Sequence, residues 1–205
     1  MALDTLANLR ITLAGILKRS DLIASIPDMI ATAEANINTK LDARQQDTQS
    51  TLSTTANTET VSLPTDVINV RRLIDATTSP YTVIEYLSPE SLTTSYAYTT
   101  TGKPQKYTVI GGLIYLAPVP DAVYSLRLAY KAKVANLTDA APTNFLLTNY
   151  PNVYLYATLC EAIPYMANDP RAPMWREEYQ SAINQVNLND WHSGGSMTVR
   201  TDVNR

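Results

Sequence analysis

Apolar residues follow the helical period at the start of the chain. Leu3, Leu6, Leu9, Leu13, Ile16 and Leu17 fall roughly on one stripe, which predicts an amphipathic helix over residues 2–18. Ser20-Asp21 then offers a stop and a new cap. A second helix is predicted over about residues 27–44. Pro27 suits its first turn, Ile30, Ala33, Ile37 and Leu41 keep the period, and Ile26 extends the stripe. Two such helices on a short link make a helical hairpin that has to bury its faces, on a sheet or on a neighbouring subunit. The pattern then changes. Residues 46–57 are rich in Thr, Ser and Gln and alternate weakly, as an edge strand or a loop would. Short strands are predicted at 59–63, 67–74 and 81–87, the first two separated by the turn Pro64-Thr65-Asp66. Ser88-Pro89-Glu90 starts one or two helical turns through Thr94, and a Tyr-punctuated polar loop covers 95–101.

The strongest strand signal lies in residues 106–134. Gly111-Gly112 supplies the positive φ of a tight hairpin turn, and Pro118-Val119-Pro120-Asp121 makes the next turn. In the third run Tyr124, Leu126, Leu128, Tyr130 and Ala132 share one face, with Ser125, Arg127, Ala129, Lys131 and Lys133 on the other. The three runs read as an antiparallel meander. A polar linker follows, with a short helical turn at Phe145-Leu146-Leu147. Pro151 opens a helix through about residue 167 that carries Tyr156, Leu159, Cys160 and Ile163 and is kinked by Pro164. After Asp169-Pro170, a last helix over about 172–190 places Trp175, Tyr179, Ala182, Ile183 and Val186 on a stripe expected to face the meander. From Trp191 the chain is HSGGSMTVRTDVNR, with too few apolar groups to order alone. The fold class is therefore α+β: a helical N-terminal hairpin and C-terminal helices packed on an antiparallel β-meander, with an extended C-terminal tail. Residues 1–190 read as a single domain (1–45 helical, 46–134 mainly β, 144–190 helical) and 191–205 as the tail.

Composition narrows the chemistry. Hydrophobic residues make up 45% of the 205, enough for a real core. Thirteen Tyr stand against one Phe. Tyr suits half-buried surfaces and subunit contacts, and it also suits any Thr/Tyr-rich sheet. The net charge of −3 lacks the overall basic surface needed to grip DNA phosphates. The one tight basic pair, Arg71-Arg72, reads as solvated strand positions. A single cysteine, Cys160, excludes a disulfide within the chain and a cysteine-based zinc site, and it reads as a small buried hydrophobe. The N-terminus lacks the basic and apolar regions of a signal peptide, and no run reaches transmembrane length, so the expectation is a soluble protein not secreted by that route. The only histidine, His192, sits in the tail, a poor platform for a positioned base. No HExxH, P-loop, GxGxxG or GxSxG occurs, and Glu177 and Glu178, as helix neighbours, point apart. No catalytic, metal or cofactor site is expected. Met197-Thr198-Val199-Arg200 alternates well enough to add a strand to a partner's sheet edge, so Trp191, Met197, Val199 and Arg200 are the candidate partner-binding residues. The other reading of that tail is a passive end.

A series of short motifs adds to this. Leu63-Pro64-Thr65-Asp66 forms an LPxD turn into a strand. Pro104 and Tyr107 precede the Gly-Gly hairpin, and Leu116, Pro118 and Pro120 precede Leu128-Ala129-Tyr130-Lys131. Leu137-Thr138-Asp139 and Asn144, Leu146 and Leu147 mark the linker. Pro151, Tyr154, Tyr156 and Ala157, then Trp175 and Tyr179, mark the late helices. In this order, over about residues 20–190, the chain resembles the head-to-tail adaptor (head-completion) proteins of tailed bacteriophages, chiefly the short-tailed type. The resemblance implies a non-enzymatic virion protein at the head-tail interface, present in the host cytoplasm during assembly. It implies a dodecameric homo-oligomeric ring that binds the portal protein on one side and a tail or nozzle protein on the other. Double-stranded DNA would pass through its channel during packaging and ejection without specific binding, and no membrane or cofactor is involved. The tail beyond Trp191 matches none of these motifs. Rival readings are another phage tail or capsid decoration protein and, behind it, a carbohydrate-binding or cell-wall-degrading virion protein. The latter would need aromatic platforms and paired acids in a cleft.

Overall fold

The structure is a computed structural model that describes residues 3–95, 100–166 and 169–191, with side chains to Leu188. Its residues cluster into two compact units: 1–44 together with 134–205, and 45–133.

The first unit is helical. α1 (Leu6–Leu17) starts at Thr5, whose hydroxyl accepts from the Asn8 amide at 3.3 Å, a side-chain cap for an otherwise unpaired donor. Leu6, Leu9, Leu13 and Leu17 are buried. Ser20–Ser25 forms a 3-10 turn, and α2 (Ile26–Lys40) buries Ile26, Met29, Ile30, Ala33 and Ile37. Later in the chain come α4 (Phe145–Asn149), α5 (Pro151–Ala162) and α6 (Ala172–Trp191), with the short α3 (Pro89–Ser95) belonging to the other unit. Pro164 sits in a 3-10 turn, Ile163–Tyr165, that ends α5. One apolar core joins these helices.

Polar side chains then fix the helix ends. Asn187 on α6 accepts from the Asp42 amide at 2.9 Å and donates to the Lys40 carbonyl at 3.3 Å, which caps the end of α2. Arg171 donates to the Ile16 carbonyl at 3.1 Å near the end of α1. The returning chain is pinned to α2: the Val134 amide donates to Asn38 and the Leu137 amide to the buried Glu34, each at 2.7 Å. Trp175 and Tyr179 lie in this helical core.

The second unit is a curled, mostly antiparallel seven-stranded sheet in the order β1-β9-β3-β4-β6-β7-β2. Its strands are β1 (Asp47–Ser53), β2 (Thr60–Ser62), β3 (Val67–Asp75), β4 (Thr82–Tyr86), β6 (Lys106–Ile110), β7 (Leu113–Ala117) and β9 (Ser125–Ala132). A minor parallel pair, β5 (Thr101–Gly102) with β8 (Val119–Pro120), lies outside that order. The Gly111-Gly112 turn is as expected, with φ of +60° and +81° between the paired Ile110 and Leu113. The third run corrects the meander. β9 does not pair with β7 but lies between β1 and β3, while the free side of β7 takes β2. Alternation decides which face of a strand is buried and says nothing about which strand lies beside it. The faces themselves come out as read, with Leu126, Leu128 and Tyr130 buried in the sheet's core beside Leu73, Ile84, Tyr107, Ile114 and Leu116. The LPxD turn has a structural job: the Asp66 carboxylate accepts the Tyr130 hydroxyl at 3.2 Å and its carbonyl accepts the Lys133 amide at 2.7 Å.

Candidate functional site

Trp191 is the last residue of α6, and Met197, Val199 and Arg200 lie outside the described residues, so three of the four candidate partner-binding residues are not placed. His192 lies outside them as well. The other residues with chemical potential are dispersed. Glu177 and Glu178 are exposed on α6, and Cys160 is half-buried beside the helical core, where burial raises the pKa of its thiol. Arg71 and Arg72 are exposed on β3, and the Arg71 guanidinium donates to Asp47 at 3.2 Å. Among the described residues no group of three or more His, Cys, Asp or Glu is placed to hold a metal ion.

The sheet unit does present a surface that sequence reasoning missed. β4 runs beside β3 for three residue pairs, Leu73 with Ile84 to Asp75 with Thr82, and then leaves it to pair in parallel with β6 through Glu85 and Tyr86. Where the two part, a cleft of about 830 Å³ opens. Leu63, Val67, Ile68, Val70, Tyr107 and Val109 give it an apolar lining, with Tyr86 at its side. Tyr86 is 57% exposed and meets the buried Tyr107 edge to face, their ring centroids 5.6 Å apart. Ile68 (39% exposed) adds apolar surface within reach of solvent. An ion pair between Lys106 and Glu85 stands at the start of β6. Thr65, Asn69 and Arg71 complete the lining, and a concave cleft that mixes apolar and aromatic groups with a few polar ones is suited to binding a partner's side chains. The excess of Tyr was the one hint of such a surface in the sequence.

Residues 4–202 match the family model described as the SU10 adaptor protein. The chain belongs to the SU10 adaptor family. No curated protein matches it. The protein is thus a phage head-to-tail adaptor, a structural component of the virion, and its family is not one of enzymes. The match runs through both units of the adaptor and on to residue 202, so it takes in most of the tail, which carries none of the motifs behind the resemblance. None of the described helices of the adaptor is long and apolar enough to cross a membrane.

Proposed function

We propose that the protein forms a ring, dodecameric where it meets a twelvefold portal, that joins the portal to the tail or nozzle of a short-tailed phage and continues the DNA channel. The family match over residues 4–202 carries this reading. Two further features are compatible with it. The chain's net charge of −3 favours a channel past which phosphates slide, where a basic lining would hold them. The cleft beside the exposed Tyr86 offers a surface for subunit or partner contacts.

In this reading the protein does no chemistry. It acts as a shaped connector, and its residues matter through packing and docking. The test is in vitro complementation. Particles assembled without the protein should be DNA-filled heads that lack tails, and adding the purified chain should restore tail attachment. Normal tail attachment in its absence would remove the adaptor role.

A further inference from the structure

One face of the sheet fills its core, and the opposite face has a composition of its own. β9 sets Arg127 opposite Ile74 of β3, and Ala129 opposite Arg72. β4 adds Val83 opposite Ile74. These positions alternate with the buried Leu126, Leu128, Leu73 and Ile84, so they share the outer face. Tyr81 joins them: it is 53% exposed, and the Arg127 guanidinium lies 5.1 Å from the centre of its ring. Val83 and Arg72 are exposed on the same face. Tyr and Arg set among apolar groups are the composition of an interface core.

α6 carries a second stripe. Its inner positions, Trp175, Tyr179, Ile183 and Val186, lie in the helical core. Met174, Glu178, Ser181 and Leu188 recur at helical spacing on another side, all exposed, with Glu177 at the edge of the stripe. Leu188 is 61% exposed. Core packing accounts for the inner stripe, while large apolar side chains at both ends of the outer one leave a surface suited to a partner. The sign of the charge selects that partner. Seven acids and seven bases balance in residues 45–133, so the chain's whole net charge of −3 falls in the helical unit. The α6 stripe is apolar and acidic, and the sheet face is apolar and basic.

We propose that the outer stripe of α6 in one copy packs on the outer face of β3, β4 and β9 in a second copy, with Glu177 and Glu178 against Arg72 and Arg127. A helix laid on a sheet face is a stable layer arrangement. Pairing either surface with its own kind would set like charges together. The contact therefore joins two different surfaces, and each copy keeps one of them free for the next copy. Such a contact closes into a ring or extends into a filament. Closure rests on the ring reading above, whereas the pairwise contact does not.

The experiment is sedimentation velocity of the full-length chain without portal, in low and in high salt. The native chain is expected to self-associate at low salt and less so at high salt. Arg72→Glu with Arg127→Glu, and separately Glu177→Arg with Glu178→Arg, should each weaken association about tenfold or more. An equimolar mixture of the two variants should regain it, because every contact between unlike copies is again between opposite charges. That recovery also separates a lost contact from a lost fold. A native chain that stays monomeric, single variants that associate as well as the native chain, or a mixture that does not recover overturns the proposal. Failure here leaves the adaptor reading standing, and portals that stay bare would remove the ring reading without touching the contact.

Discussion

Glu34 sits buried on α2, where it accepts from the Leu137 amide at 2.7 Å and lies 3.5 Å from the Tyr154 hydroxyl. Burial raises its carboxyl above the usual pKa, although the bonds from Leu137 and Tyr154 oppose the shift. A carboxyl whose folded pKa is raised adds stability that is complete below the unfolded pKa, about 4.3 for Glu. That stability is lost as pH rises through the folded value. Glu34→Gln is therefore expected to be at least as stable as the native chain at pH 7, with the advantage shrinking toward pH 4. Urea midpoints across that range check it, and a pH-independent difference would count against the account. Tyr179 behaves differently. Its ring is buried, with the Lys40 ammonium 4.9 Å from the centroid, and its hydroxyl has no partner among the described residues. Burial pushes its pKa up to about 12. Tyr179→Phe should then stabilise the fold by about 1 kcal/mol, since it removes a desolvated group that makes no bond. Trp175 is 2% exposed beneath the Arg171 guanidinium, and Trp175→Ala should cost about 3–5 kcal/mol in chemical denaturation.

At the scale of elements, periodicity carried most of the information. The stripes of α1, α2 and α6 name nearly the residues that are buried, because one helix face must leave water whatever covers it. The Gly-Gly hairpin was legible for a local reason, positive φ. Gly112→Ala is expected to cost about 1–2 kcal/mol from backbone strain alone, since a Cβ there meets nothing within 4 Å. A thermal melt of the variant measures it, and an unchanged midpoint would mean that the turn relaxes. What the sequence did not disclose was pairing. β9 and β7 follow one another closely in the chain and still do not pair, and β4 changes partners after Ile84. The cleft exists because of that change of partner. Tyr86 and Tyr107 looked like ordinary strand residues, since nothing local distinguishes a strand that parts from its neighbour.

At the scale of the whole molecule, the family match assigns the protein to the head-tail junction, and the described structure adds two compact units and a cleft in the sheet unit. The candidate residues in the tail stay a sequence argument, because Met197, Val199 and Arg200 lie outside the described residues. Deleting residues 193–205 is expected to leave far-UV circular dichroism and the melting temperature unchanged while weakening attachment to portal-bearing heads. Equal attachment by the truncated chain would make the tail a passive end. The most direct measurement of the adaptor role is negative-stain imaging of purified portal mixed with the purified protein, backed by native mass spectrometry of the same mixture. The account predicts a ring of copies seated on one end of each portal, with masses stepping by whole rings of the 22.6 kDa chain. Bare portals beside folded, unassembled protein would contradict it.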